Sequence, residues 1–472
     1  MGMINIIKDL LRDRNIVILG FGREGISTCR FIRKHLPDLP LTVADQSKLI
    51  NKEEIGNDPN LVMKFGPGYA DGLNDYDLVI KTPGVNLNRL PYLINPQKIT
   101  SQTELFLKAF SSQTIGITGT KGKSTTASLL YHIIKHAGRK VLLAGNIGIP
   151  FLDIADKVDP DTMVVAELSA HQLEFLQISP HIAVILNIFQ EHLDHFSSFN
   201  NYQLAKLNIA NFQNEKDYLI YNYDDLYIPK LLESHHSRAN LIPFSRNTKV
   251  ENGAYCYGTG ITLEHDGEAV AGFDLKDFHH LPGQHNFNNV MAAILAANLL
   301  NIDNKDILNS LKTYKSLPHR IEYVGKFQGI HFYNDSIATI PEATIAAVKT
   351  IRKVDTLILG GYDRGIEYTE LIRFLAESNV SNIVFTGMAG QRIFNEWKNE
   401  GVKLPESYLI ENDYRSIVEF CYSHTQAGKA CLLSPAASSY DQFKNFEERG
   451  DIFKKEVLNI DQLLTKHSNQ SV

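Results

Sequence analysis

The sequence predicts an α/β protein of several domains, with helices layered on parallel sheets. Three observations predict it. Short apolar, β-branched runs alternate with longer amphipathic segments along the chain, the rhythm of strands covered by helices. Two strand-like runs lead straight into glycine-rich turns that open helices, at residues 20–25 and 119–123, which is where phosphate groups are held. The chain has 472 residues, more than one core ordinarily serves, and this length predicts two to four domains.

Taken in order, residues 16–19 read as a buried strand. Gly20-x-Gly22-x-x-Gly25 then opens a helix that reaches His35. A second strand, 41–44, ends in Asp45, twenty residues after Gly25, where an acidic side chain often meets a ribose hydroxyl. A strand at 77–81 runs into Thr82-Pro83-Gly84. These features predict one Rossmann-like domain over 1–102. By itself the glycine turn has a plainer reading, a tight strand–helix junction with no ligand.

The strand 114–118 starts the next unit and leads into Gly119-Thr120-Lys121-Gly122-Lys123-Ser124-Thr125 and a helix that stops at Gly138. Lys123 and Ser124 stand where a phosphate-binding loop places the lysine that neutralises β and γ phosphates and the hydroxyl that ligates Mg2+. The general spacing of such loops requires glycine at 117, and that residue is Ile117, so the loop is a shorter, specialised one. Strands follow at 141–144, 163–166 and 182–186. Residues 214–280 read as short strands with turns, 286–300 as a helix, and Pro318 marks a boundary. Beyond it the same rhythm resumes, with strands near Ile330, Thr356, Ile383 and Ala430. These breaks divide the chain into 1–102, 103–317 and 318–472, each α/β in its rhythm.

Composition removes other classes. A net charge of −6 over this length gives no reason to expect nucleic acid or an anionic membrane. The apolar runs are strand-length, so no membrane insertion is expected. The first residues carry Asp9 and Asp13 and lack the apolar core of a signal peptide. Four scattered cysteines, Cys29, Cys256, Cys421 and Cys431, have no zinc spacing and read as reduced thiols of a cytoplasmic protein.

The loop 118–125 resembles the ATP loop of Mur ligases and folylpolyglutamate synthetases. Further strings, in order and spacing, resemble the Mur ligase family: Gly145-Asn146-Ile147-Gly148, Glu167-Leu168-Ser169-x-x-Gln172-Leu173-Glu174, Asn187-x-x-x-Glu191-His192-Leu193-Asp194 and Leu281-Pro282-Gly283-x-His285-Asn286-x-x-Asn289. Pro318-His319-Arg320, Asn334-Asp335-Ser336 and Gly360-Gly361-x-Asp363-Arg364-Gly365 continue the series. The stretch 433–450, which holds Ser439, Asp441 and Phe446, is similar to the glutamate-adding branch.

The resemblance implies an ATP-dependent ligase that joins glutamate to UDP-N-acetylmuramoyl-L-alanine through an acyl phosphate in peptidoglycan synthesis, and it explains the first glycine turn as a UDP site without a nicotinamide. It implies a monomer of three domains: a Rossmann-like N-terminal domain, a central P-loop-type ATPase domain and a C-terminal α/β Rossmann-like domain. Gly119, Thr120, Lys121, Gly122, Lys123, Ser124 and Thr125 would bind ATP, with Asn286 and Asn289 near the adenine and Arg320 and Asp335 near phosphates and ribose. Gly22, Arg23, Glu24, Gly25, Asp45, Thr82, Pro83 and Gly84 would hold the uridine nucleotide, and Asn146 the muramoyl end. Two Mg2+ sites would draw on Ser124, Glu167, His192 and Lys206, the last carbamylated. Lys123, His192 and Lys206 would be catalytic. Composition alone makes Lys206 a solvated surface lysine.

Thr339, Arg364, Ser439 and Phe446 would bind glutamate. Here the chain departs from the pattern, because Asn334-Asp335-Ser336 is followed by Ile337 where the D-glutamate branch has lysine. His171 likewise stands where a Ser-Phe pairing is usual. The handedness of the glutamate stays open between D and L, with D favoured narrowly. Two other classes remain on the residues alone. An NAD-dependent oxidoreductase accounts for the first glycine turn and leaves Lys123-Ser124 unexplained. A non-catalytic nucleotide-binding regulator accounts for Ile337 and leaves Lys123, Glu167, His192 and Lys206 unexplained.

Overall fold

The structure is a computed structural model that describes residues 2–47, 58–90, 92–258, 260–274, 286–315, 317–351 and 353–470. Residues 281–285 of the motif that precedes Asn286 lie outside the described residues. The chain divides into two compact units. One holds residues up to 277 together with 285–314, and the other holds 278–284 with 315–472.

The first unit contains two sheets. β1 (Ile16–Leu19), β2 (Leu41–Asp45), β3 (Leu61–Phe65), β4 (Leu78–Lys81) and β5 (Ile99–Thr100) form a parallel sheet in the order β3-β2-β1-β4-β5. Every residue of β1 and β4 is buried, as expected of central parallel strands covered on both faces. The chain leaves β1 toward β2 on one side and later returns to place β4 on the other. That reversal opens a crevice at the carboxyl ends of β1, β2 and β4.

The second sheet has nine strands. β6 (Thr114–Thr118), β7 (Val141–Gly145), β8 (Met163–Glu167), β9 (Ile182–Ile185), β10 (Tyr218–Asn222), β11 (Asn240–Ser245), β12 (Gly253–Tyr257), β13 (Gly260–His265) and β14 (Glu268–Asp274) lie in the order β14-β13-β12-β11-β10-β9-β6-β8-β7. β6 sits between β8 and β9 with parallel pairing to both, so the carboxyl ends of three neighbouring strands deliver residues 119–122, Leu168 and Leu186 to one edge. The last strands form antiparallel hairpins at the far end. The helix Lys123–His136 packs on β7 and β8 and against the helix Asn286–Leu299.

The second unit is built on β15 (Glu322–Phe327), β16 (Ile330–Asn334), β17 (Val354–Gly360), β18 (Asn382–Thr386), β19 (Ser407–Ile410) and β20 (Ala430–Leu433), in the order β15-β16-β20-β17-β18-β19. β20 enters last and inserts between β16 and β17, which places residues 335–339, 361–364 and 434–439 at one edge. Arg449 is 1% exposed and ties these loops together. Its guanidinium donates to the Ser336 hydroxyl and to the carbonyls of Ser336, Gly360, Ala437 and Ser438. Burying a guanidinium demands that its donors be satisfied, and here the loop carbonyls do so. Among the described residues no helix is long and apolar enough to cross a membrane, and all four cysteines are free.

Candidate active site

The phosphate loop is shaped by what packs behind it. Gly122 lies at φ +88°, and a Cβ there would run into Asn289 Oδ1, so only glycine allows this approach. Asn289 is fixed in turn: its Oδ1 accepts from Thr126 Oγ1 at 3.3 Å and its amide donates to Asn286 Oδ1 at 2.9 Å. The two asparagines thus brace the loop from a neighbouring helix. Lys121 N donates to Asn187 Oδ1, and Asn187 Nδ2 donates back to the Lys121 carbonyl. Lys121 Nζ pairs with Glu191. Asn187 and Glu191 lie in the Asn187-x-x-x-Glu191-His192 motif, and the sequence alone assigns them no role. Their partners come from a distant strand end, which a linear reading does not reveal.

Lys123 opens its helix, and its Nζ donates to the carbonyls of Gly119 and Thr120 at 2.9 and 3.0 Å. Ser124 and Thr125 follow in the first turn and are half-buried. A lysine, two hydroxyls and the positive end of a 14-residue helix together favour a polyphosphate.

Lys206 corrects the expectation from composition. It lies on the helix Phe199–Leu207 and is 2% exposed, so it is not a solvated surface lysine. Its Nζ donates to the Gly119 carbonyl at 2.8 Å and sits 4.8 Å from the Tyr202 ring. Burial, reinforced by the charge of Lys123, holds its pKa well below that of an ordinary lysine; Glu191 and Glu167 oppose this. A lowered pKa enlarges the share of free amine, the form that adds carbon dioxide.

Glu167 ends β8 and is 1% exposed. Its Oε1 accepts from Asn146 Nδ2 at 2.8 Å. Its Oε2 is buried with no hydrogen-bond partner among the described residues. A buried orphan carboxylate oxygen is costly, and a cation with oxygen ligands would satisfy it. His192 is a half-exposed residue at φ +57° before the short helix Leu193–Phe196. Burial, with Lys206 and Lys123, lowers its pKa against the pull of Glu191, which keeps a ring nitrogen lone pair free for a metal. His171 lies edge-on to His192, ring centroids 4.9 Å apart, and burial among neighbouring cations holds its pKa to about 3. Among the described residues no three His, Cys, Asp or Glu side chains converge as a ready cation cage. Glu167 and His192 fit a magnesium ion in donor type, but a full set needs the Ser124 hydroxyl, phosphate oxygens or an anionic form of Lys206.

The crevice of the first sheet is a cleft of about 830 Å3 lined by Gly20, Gly22, Arg23, Glu24, Asp45, Thr82, Pro83, Gly84 and Asn146, among others. It brings together the first glycine turn, the acidic residue that ends β2, the turn after β4 and a loop of the second sheet. Gly25 is required because a Cβ would meet the Gly20 carbonyl. Asp45 accepts from the backbone N–H of Phe21 and of Ser47 at 2.6 and 2.7 Å, which holds the glycine turn open. Arg23 does not point its guanidinium solely at the cleft: it donates to the carbonyls of Gly145, Asn146 and Gly148 at 3.2–3.4 Å. Glu24 accepts from Gln172 Nε2 at 2.7 Å, and burial raises its pKa.

In the second unit, Asp335 accepts from Ser434 Oγ and from Ile321 N at 2.8 and 3.1 Å. Burial nonetheless pushes its pKa up to about 7, against the charge of Arg320. Arg364 Nη2 donates to the Thr339 carbonyl at 2.8 Å. Ser439 is 2% exposed, and the carbonyl of Phe446 accepts from Ser336 Oγ. Ile337 is half-buried, and its N–H donates to the His319 carbonyl.

Residues 117–297 match the model of the Mur ligase middle domain, and 319–437 match that of the Mur ligase, glutamate ligase domain. The chain is 35% identical to the UDP-N-acetylmuramoylalanine--D-glutamate ligase of Thermoanaerobacter sp. (strain X514), over 95% of this chain and 98% of that one. It is 34% identical to the enzyme of the same name from Clostridioides difficile (strain 630), over 95% and 99%. Among solved structures it is similar to the UDP-N-acetylmuramate-alanine ligase MurC of Thermotoga maritima, with a TM-score of 0.55 at 19% identity over 95% and 99% of the two chains. It is also similar to MurF ligase from Thermotoga maritima in complex with ADP, with a TM-score of 0.51 at 19% identity over 81% and 89%.

Proposed function

The chain belongs to the Mur ligase family of ATP-dependent amide-forming ligases, and from that premise we propose that it joins D-glutamate to UDP-N-acetylmuramoyl-L-alanine through an acyl phosphate. The observation that carries the reading is the cluster at the ends of β6, β8 and β9. Lys123, Lys206, Glu167 and His192 surround one phosphate loop beside a cleft of nucleotide size. A carboxylate makes no amide with an amine until an oxygen becomes a good leaving group. Transfer of the γ-phosphoryl group to the alanyl carboxylate supplies it. Attack by the amine of glutamate then forms the amide and releases phosphate.

In this reading Lys123, with the N–H groups of residues 119–125, binds the ATP phosphates and shields the charge that carboxylate and phosphate bring together. Asn286 and Asn289 face the adenine, and Arg320 and Asp335 serve the phosphates and ribose. Ser124, Glu167, His192 and a carbamylated Lys206 would hold up to two magnesium ions, which supply charge neutralisation on the phosphates when bound. The carbamate would turn a buried cation into an anion and satisfy the same site with opposite sign. The cleft residues, Arg23 and Asp45 included, bind the uridine nucleotide, and Asn146 reaches the muramoyl end. Residues 1–102, 103–317 and 318–472 then serve UDP-substrate, ATP and amino acid in turn, with Thr339, Arg364, Ser439 and Phe446 on glutamate.

Ile337 favours a second reading, L-glutamate as the amino acid. A lysine there would attract an α-carboxylate with a charge-assisted bond of about 1.5–3 kcal/mol, roughly ten- to hundred-fold in discrimination. Isoleucine offers none. The test is the ratio of kcat/KM for the two enantiomers, with ATP, Mg2+ and UDP-N-acetylmuramoyl-L-alanine, in wild type and Ile337→Lys. D-glutamate turnover by wild type, raised in preference by the lysine, is expected. Turnover of L-glutamate alone would replace the first reading with the second.

A further inference from the structure

Lys81 has no role in the reading above, yet its placement is unusual. It ends β4, one residue before the turn Thr82-Pro83-Gly84 of the cleft, and is 4% exposed. A buried ammonium is costly unless paired. Its partner is Glu174, with Nζ 3.4 Å from Oε2. Burial draws the Lys81 pKa down, and Glu174 opposes it. The same Oε2 accepts from His195 Nε2 at 3.0 Å. His195 is itself buried. Its ring stands 4.4 Å from His171, centroid to centroid, and His171 lies against His192.

The backbone of the turn 192–197, which carries His192 and His195, is gripped from the same side as Lys81. Asn86 donates to the carbonyls of Asp194 and His195, and Asn88 to that of His195, at 3.3–3.5 Å. The turn needs such support. His192 and Ser197, which bracket the helix Leu193–Phe196, are non-glycine residues at φ +57° and +63°. Left-handed positions of this kind persist only where their surroundings over-determine them. A packed apolar pair would fill the place of Lys81 and Glu174 without the cost of buried charge, so packing alone does not account for the pair.

We propose that Lys81 is a positioning residue for the ligation: through Glu174 and His195 it holds the turn that aims His192 at the phosphate-loop cluster. This rests on the reading of His192 as a cation ligand. Lys81 fixes the Glu174 carboxylate, Glu174 fixes the His195 ring by its Nε2–H, and that ring, with His171, sets the wall on which His192 leans. Groups hydrogen-bonded directly to a metal ligand ordinarily alter metal affinity or activity ten- to hundred-fold when removed, and this longer relay is expected at the low end of that range.

The test measures Mn2+ binding by electron paramagnetic resonance, in the presence of a non-hydrolysable ATP analogue, together with kcat. Lys81→Met is expected to weaken Mn2+ binding about ten-fold or more and to lower kcat, while calorimetric affinity for UDP-N-acetylmuramoyl-L-alanine is kept. Lys81→Arg should recover most of both. Lys81→Met/Glu174→Leu guards against misfolding, because it replaces the pair with apolar side chains. It should fold and still bind Mn2+ poorly. Wild-type Mn2+ affinity in that folded double variant would overturn the proposal, since packing would then be all the pair supplies. His192→Ala separates the two levels. If it loses Mn2+ binding and the Lys81 variants do not, the relay alone is wrong. If it too binds as wild type, the reading of His192 fails and the relay with it.

Discussion

Burial at Lys206 prepares a lysine for a chemistry that a surface lysine lacks. At 2% exposure and beside Lys123, its ammonium is disfavoured and its free amine is not. If that amine carries carbon dioxide, Lys206→Ala removes an anion from the cluster. Ligase activity should then fall by at least about ten-fold, on the scale of a lost metal partner, and short carboxylates such as formate should restore part of it. Full activity of the alanine variant without additive would contradict the carbamate. The burial of Lys206 was not legible in its own neighbourhood, Tyr202-Gln203-Leu204-Ala205-Lys206-Leu207. It depends on Gly119, eighty-seven residues away in sequence. By contrast, Lys123 was legible, because its place between glycine turn and helix is set within a few residues.

The phosphate loop is where a single atom can be weighed at the scale of an element. Gly122 at φ +88° admits Asn289 Oδ1 into the space of a Cβ. Gly122→Ala must therefore displace the Asn286–Asn289 brace or the loop. We expect ATP affinity to fall by about ten-fold or more, since a clash and a left-handed alanine each cost of the order of 1 kcal/mol or more. Calorimetric binding of the UDP substrate should survive, because its cleft is built mainly from the other sheet and does not include the phosphate loop. Loss of both affinities in a folded variant would contradict separate nucleotide sites. The central strands were readable as apolar runs, β1, β4, β6, β8 and β9 among them. The strands that escaped were β3, β5, β15 and β19, and each is an edge strand. An edge strand has one neighbour and a wet side, so its pattern is short or mixed, as in the half-exposed β3 and β19. β15 also carries a register shift between Tyr323 and Gly325, which breaks the alternation that would mark it.

At the scale of the whole molecule, three sheets each gather their loops at one edge, and each does so through a strand inserted out of sequence order: β4 beside β1, β8 beside β6, β20 between β16 and β17. That order is a long-range property, so the sequence pointed to the motifs through local strings and family likeness, while their convergence came only with the fold. The relay from Lys81 to His195 is of the same kind, since no local pattern links a strand end to a turn more than a hundred residues later. In the proposed reaction ATP activates the alanyl carboxylate as an acyl phosphate. That step is tested most directly with UDP-N-acetylmuramoyl-L-alanine carrying 18O in that carboxylate, turned over with ATP, Mg2+ and D-glutamate. Each phosphate released is expected to carry one oxygen from the carboxylate, read by mass spectrometry. Amide product accompanied by phosphate without the label would contradict it.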